Sequence, residues 1–324
     1  MAVDFHTLIS HNKRNSWLLV LGFVAFVVVL GMVIGYSTGL YMGGPDLARP
    51  YGLGVTALAV VIAVVGSLVS YYSGSGAILK MSGARPLAKQ DDPQLYNVVE
   101  EMAIAAGVPP PKVYLIDDTA PNAFATGRDP QHGVVAITTG LRSKLSRDEL
   151  QGVIAHEVCH IRHLDIRFAV LMATLVGVVV LLCDMYLRSM WLGRGTRTSS
   201  RRSGRSGRGG GGGAAILLLI AIILAIIAPI LAKVIEMAFS RQREYLADAG
   251  AVELTRNPDG LAGALAKISA DPEVLEVANR ATAPMYIVHP IKHFEKRASS
   301  IFDSHPPIKD RIGRILSLTT GEQA

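Results

Sequence analysis

His156-Glu157-Val158-Cys159-His160 sets two imidazoles four residues apart with a carboxylate between them. On a helix, positions four apart share a face at about 6 Å, so both rings can converge on one metal ion. Glu157 is placed to take a proton from a water that such an ion activates. A catalytic ion of this kind takes three protein donors and keeps a fourth position for water. Two residues compete for the third place. His163 follows at i+7 on nearly the same face, but about 10 Å along the axis from His156, against metal–ligand bonds of about 2 Å. Glu244 lies on a second predicted helix and shares its face with Asp248 at i+4. That pair suits one donor plus one carboxylate that orients a ligand histidine through its far ring nitrogen. Spacing alone equally allows Glu244 to pair with Arg241 or Arg243 on a solvated face.

These residues need helices to hold them. Ser146-Arg147-Asp148-Glu149 is an S-x-x-E capping box just under three turns before His156, and it starts the first helix with two otherwise orphan amides satisfied. Ahead of it, residues 91–146 read as soluble α+β. Pro93–Ala106 is an amphipathic helix with Leu95, Val98, Val99 and Met102 on one face, stopped by Gly107 and Pro109-Pro110-Pro111. Lys112–Ile116 alternates as a strand, and Asn122–Thr126 with Val134–Thr138 predicts a hairpin across Gly127–Gly133. Asn257 caps a further helix beginning at Pro258. Ser304-His305-Pro306-Pro307 leads into a last short helix containing Arg311.

The 324 residues are 50% hydrophobic and only 18% charged, with mean hydropathy +0.35. That excludes intrinsic disorder and argues against a wholly soluble protein. Apolar blocks of about the 20 residues that span a bilayer run over residues 17–36, 53–72, 166–187 and 214–235. The first has no A-x-A cleavage pattern and reads as a retained anchor, not a signal peptide. Lys13 and Arg14 precede it, and Lys80, Arg85 and Lys89 follow the second. Between the two lies a short connection with only Asp46 and Arg49. The positive-inside rule puts the N-terminus and the segment after residue 72 in the cytoplasm.

The net charge of +6 comes from one place. Seven arginines lie between Arg188 and Arg208, and taking them from the 32 basic residues leaves 25 against 26 acidic. No basic face for nucleic acid remains. The Gly/Arg/Ser stretch reads as a solvated flexible loop or, if cytoplasmic, as a patch for anionic lipid. A crossing of the third and fourth blocks is favoured, although it carries these arginines outside, against the charge rule. Cys159 and Cys183 stand 24 residues apart in what reads as continuous helix, about 36 Å, so no disulfide joins them.

H-E-x-x-H opening into a membrane hairpin, followed by Glu244-x-x-x-Asp248, resembles the HtpX family of membrane zinc metalloproteases, relatives of the zinc-dependent CAAX prenyl endopeptidases. Pro121-Asn122-Ala123-Phe124-Ala125 and His305-Pro306-Pro307-x-x-x-Arg311 resemble further family segments, and the likeness runs through the whole chain in order. It implies a mainly α membrane protein in which four hydrophobic helices accompany an α+β zincin-like domain with a short β-hairpin. The organisation would be an anchor over residues 1–80, the first catalytic part over 81–165, a helix pair with its loop (189–213) over 166–238, and the second catalytic part over 239–324. One zinc ion per chain would be held by His156, His160 and Glu244, with Glu157 as general base. Asp248, Asp165 and Arg311 would support the ligands from outside. His305 would polarise the substrate carbonyl.

The expected activity is endoproteolysis of damaged or misfolded membrane proteins or peptides, by an enzyme of the inner membrane facing the cytoplasm. Asn122, Ala123, Phe124 and Ala125 would offer an edge to an extended substrate, the alternative being a plain core hairpin. Two other readings stand beside this one. An intramembrane protease is opposed by the charged residues flanking the motif, among them Arg147, Asp148 and Arg162. A non-catalytic zinc protein would want a fourth ligand and would not need Glu157. Oligomeric state is not legible.

Overall fold

The computed structural model describes residues 5–195, 211–276, 286–287 and 306–320. The chain packs as two units, one of Met1–Leu68 with Leu171–Glu236, the other of Val69–Val170 with Met237–Ala324.

It opens with α1 (Phe5–Gly43) and α2 (Pro45–Met81), separated by Gly44 alone. Gly44 has φ +81°, which glycine adopts without strain. Pro45 suits the first helical position, where its missing N–H would have no partner. The expected connection between the first two blocks is therefore helical, with Asp46 in the first turn of α2. Leu21–Leu40 and Pro45–Val69 are long and apolar enough to cross a bilayer, at mean hydropathies of 2.1 and 2.4. The third and fourth blocks lie in α6 (Asp165–Gly195) and α7 (Gly211–Thr255). Among the described residues, the apolar stretch of α7 is Leu219–Ala232, shorter than a span. Among the described residues, two of the four expected spanning helices are thus candidates by length and composition. Most of the arginine-rich loop lies outside the described residues.

The second unit holds a four-stranded sheet of β1 (Arg85–Pro86), β2 (Lys112–Ile116), β3 (Ala123–Thr126) and β4 (Val134–Thr138), ordered β1-β2-β4-β3. The predicted hairpin is β3–β4, antiparallel with Ala123 opposite Ile137 and Thr126 opposite Val134. β4 also runs parallel to β2, which leaves β3 on the edge. Asp92 caps α3 (Pro93–Ala106) through the Leu95 N–H and receives Arg142 of α4 (Thr139–Lys144).

α5 (Arg147–Arg162) begins on the predicted capping box: the Glu149 N–H donates to Ser146 Oγ (3.3 Å), and the Ser146 N–H to Glu149 Oε2 (2.8 Å). The same Glu149 carboxylate receives Lys267 Nζ at 2.7 Å from α8 (Pro258–Ala270). Leu150, Val153, Ile154 and Val158 are fully buried in a core shared with α3, the sheet and α8. α9 (Ile308–Thr320) packs on α8.

One expected helix is two. α5 ends at Arg162, Leu164 takes φ 61°, and α6 starts at Asp165. The left-handed conformation costs a leucine about 1–2 kcal/mol, so other contacts must hold the break. Cys159 and Cys183 are both free and buried.

α5 and α8 approach closely at Gly152, where a Cβ would lie 2.7 Å from the Leu261 nitrogen and 2.8 Å from its Cα. Gly152→Ala is expected to force the helices apart and destabilise the unit by about 1–3 kcal/mol. Gly177→Ala, with nothing within 4 Å of its Cβ, is the control. Thermal unfolding in detergent should show a lowered transition for the first variant and none for the second.

Candidate active site

α5 presents His156 and His160 one turn apart, their Nε2 atoms 3.1 Å from each other. α7 passes with Glu244 and Asp248, also one turn apart. Glu244 Oε2 lies 3.7 Å from His156 Nε2, and Oε1 lies 3.5 Å from His160 Nε2. One donor atom from each of these three residues falls within 4.8 Å of the other two. His163 is absent from that group. It is buried near Gly250, and burial pushes its imidazole down to about 4. The solvated-face alternative for Glu244 is not what the fold builds, since Glu244 and Arg243 are both buried.

Each histidine has a carboxylate behind it. His156 Nδ1 lies 3.0 Å from Asp248 Oδ1. Asp248 is gripped by both arms of Arg311, Nε to Oδ2 at 2.8 Å and Nη2 to Oδ1 at 2.6 Å. Arg311 is wholly buried. Its Nη1 is 3.1 Å from Glu244 Oε2 and donates to the Ile287 carbonyl at 2.8 Å. His160 Nδ1 is 2.9 Å from Asp165 Oδ2, a contact made possible by the break at Leu164. Asp165 in turn meets Arg243, whose Nη1 is 3.1 Å from Oδ1 and donates to the Asp165 main-chain oxygen at 2.6 Å.

The electrostatics follow from burial and pairing. Burial alone would raise the carboxyl groups of Asp248 and Asp165, but Arg311 and Arg243 beside them hold both below the ordinary range. Burial opposes the charged form of His160, yet hydrogen bonds and charge from Asp165 and Glu244 lift it well above its usual value. Burial lowers His156 despite Asp248. Glu157, Asp165, Glu244 and Asp248 are buried carboxylates, and Arg243 and Arg311 buried guanidiniums. Buried carboxylates thus outnumber buried guanidiniums around the two imidazoles. Two imidazole nitrogens and a carboxylate oxygen converging on such a site suit a divalent cation.

Glu157 sits at the same place on α5, 1% exposed, and burial pushes its carboxyl up to about 7. The nearby Ala125 N–H opposes that upward push, and Oε1 has no hydrogen-bond partner among the described residues. β3 thus packs along α5 beside Glu157. The strand is buried throughout. Phe124 stacks edge-to-face on Tyr286, centroids 5.2 Å apart, in a second core cluster and not toward the histidines. The Ala123 carbonyl accepts from the Ile287 N–H at 2.9 Å. Asn122 is also buried, its Oδ1 accepting from the Ala123 N–H at 3.0 Å. His305 lies outside the described residues. Sequence reasoning missed the link from Arg243 to Asp165 and the tie of Ile287 to both Ala123 and Arg311. An acid beginning a helix just beyond the motif was the available signal for the first, and none existed for the second.

Residues 89–319 match the sequence profile of Peptidase family M48. A protease HtpX homolog of Ligilactobacillus salivarius (strain UCC118) is 42% identical over 307 residues, covering 95% of this chain and 97% of its own. One of Listeria monocytogenes serotype 4a (strain HCC23) is 44% identical over 310 residues, with the same coverages of 95% and 97%. Among solved structures, the crystal structure of S. mikatae Ste24p is similar at TM-score 0.52 and 20% identity, over 90% of this chain and 67% of that one, a likeness of fold. With the histidine–glutamate cluster inside the matched residues, the conclusion is direct: the chain belongs to peptidase family M48 and is an HtpX-like metallopeptidase.

Proposed function

We propose that the protein is a membrane-anchored zinc endopeptidase that cleaves damaged or misfolded membrane proteins at the cytoplasmic face. The observation that carries this reading is the convergence of His156, His160 and Glu244 beside a buried Glu157 on the edge of the sheet. Zinc held by those three residues would supply Lewis acidity, lowering the pKa of water toward 7 and polarising a carbonyl.

The chain's own groups do the rest. Glu157, with its carboxyl at about 7, is suited both to accept a proton from the attacking water at Oε1 and to return it to the leaving amine. Asp165 accepts from the Nδ1–H of His160, and Asp248 stands 3.0 Å from His156 Nδ1, so each Nε2 lone pair faces the cluster. An extended substrate is to lie along the outer edge of β3. With the Ala123 carbonyl engaged by Ile287, docking falls toward Ala125, the next residue whose main chain faces away from β4. His305, in the segment leading into α9, is assigned to polarise the substrate carbonyl on the likeness of its motif alone.

The bilayer reading rests on α1 and α2. Leu53, Val61, Val64 and Leu68 of α2 are each more than half exposed, a density of apolar side chains that water disfavours and lipid does not. The charges flanking α1 and α2 support a cytoplasmic catalytic segment by the positive-inside rule. The third and fourth blocks are proposed to cross, carrying the arginine loop outside.

Glu157→Gln is expected to keep near one zinc per chain and to lose about 10²–10⁴-fold of activity. Metal analysis beside cleavage of a model membrane protein in detergent checks this, and near-normal turnover would sink the mechanism. Glu244→Ala should lose the zinc outright, Asp248→Ala about 10–100-fold of affinity, and His163→Ala little. A greater loss from His163→Ala than from Glu244→Ala would reverse the ligand assignment. For topology, single cysteines at Ser203 and Ser143 in a background lacking Cys159 and Cys183 are labelled from outside intact cells. Labelling at Ser203 alone is expected. Protection of both positions replaces crossing with a hairpin that returns, and labelling at Ser143 overturns the cytoplasmic site.

A further inference from the structure

The two histidines of the site carry matching supports, each an aspartate backed by an arginine. Behind His156 stand Asp248 and then Arg311; behind His160 stand Asp165 and then Arg243. The first support has the sequence signals already discussed. The second has none pointing to Arg243, which is 7% exposed and faces Asp165, not solvent. Arg243 holds this aspartate twice, 3.1 Å from its side-chain oxygen and donating to its main-chain oxygen at 2.6 Å.

That double hold matters because of where Asp165 sits. It follows Leu164, whose φ of 61° lies in a region leucine avoids. The break turns the first residue of α6 back toward His160, and a backbone bend of this kind persists only when surrounding contacts fix it. The Arg243 hydrogen bond to the Asp165 carbonyl is such a contact, one residue past the bend. Arg243 also immediately precedes Glu244 on α7, so one turn of helix brings both a metal donor and the group that fixes the support of a second donor.

We propose that Arg243 is a positioning residue for His160, acting through Asp165 to fix both the bend at Leu164 and the orientation of the imidazole toward the metal. This rests on the metal site argued above. The test uses the full-length protein in detergent, stripped of metal and titrated with Co²⁺, whose d–d absorption reports the ligand field as well as occupancy. Arg243→Gln is expected to weaken Co²⁺ binding about 10–100-fold, as for loss of an outer partner of a ligand, and to shift the band. Adding Arg243→Gln to Asp165→Asn should cost less than about threefold more, because the arginine works through that aspartate. Binding of Arg243→Gln within about threefold of wild type, or full additivity in the double variant, overturns the proposal. If Arg243→Gln fails to fold, as read from the melting of the metal-free protein, Arg243→Lys replaces it under the same two criteria. Glu244→Ala runs alongside. Should it bind Co²⁺ like wild type, the metal-site reading itself fails; should it lose the ion while Arg243→Gln keeps it, only the role of Arg243 does.

Discussion

A carboxylate withdrawn from water costs several kcal/mol unless a positive partner is fixed beside it. Four carboxylates, Glu157, Asp165, Glu244 and Asp248, are withdrawn together around His156 and His160. The second unit is organised around that constraint. Arg311 reaches in from α9 and Arg243 from α7, each meeting an aspartate that backs one histidine. Neither arginine has freedom to leave. Arg311 is committed at once to Asp248, Glu244 and the Ile287 carbonyl, so α9, α7 and the segment at Ile287 share one anchoring point. A peptidase needs donors fixed before a metal or substrate arrives, because ordering them afterwards would subtract from binding. Buried ion pairs supply that order at the expense of stability that an apolar core would have given.

The same logic explains why α5 is held so firmly. It carries both histidines and Glu157, and a helix this buried through its middle shifts only if its neighbours do. Its first turn is closed by the Ser146–Glu149 box, which is itself tied to α8 through Lys267. Its middle meets α8 at Gly152 without a side chain between the backbones. Its far end is fixed by the turn at Leu164 and the return of Asp165 to His160. Glu157 lies where α5 packs on β3, near the Ala125 N–H. That placement puts the carboxylate beside the edge strand, a relation the proposed strand-wise docking of substrate requires.

Local features were legible in the sequence, and distant ones were not. The S-x-x-E box, the 93–106 helix, the β3–β4 hairpin and the Asn257 cap are each decided within a few residues by propensity and hydrogen bonding. The H-E-x-x-H and E-x-x-x-D spacings are fixed by the helical period, which pairs residues within each helix; that Glu244 would join His156 and His160 was implied by the family resemblance and not by spacing. The parallel pairing of β4 with β2, which puts β3 on the edge, is a long-range choice that alternation cannot express. The break after Arg162 escaped notice because no Gly or Pro marks it; a leucine holds the left-handed position, supported by contacts from 78 residues away. The destination of the Phe124 ring was not legible for a related reason. A strand buried on both faces sends alternate side chains into separate cores, and the ring of Phe124 went to the one with Tyr286.

α7 shows how one helical period serves two kinds of packing. Its buried positions 221, 225, 228 and 232 are all alanine, small enough for close helix contact. Farther along, at the same three-and-four spacing, the buried residues become Arg243, Glu244, Ala247, Asp248 and Ala251. The small residues among them are what make the acids useful. A Cβ at Gly250 would lie 2.7 Å from Cys159 Sγ, so α7 and α5 meet there almost backbone to side chain. An aspartate spans only a short distance from its own backbone. Asp248 comes within 3.0 Å of His156 Nδ1 where α7 and α5 approach this closely. A side chain at Gly250 would push against Cys159 and so draw Asp248 away from His156. The charges of the site are thus set by acids and arginines, but the approach of the two helices that carry them rests on the glycine between them.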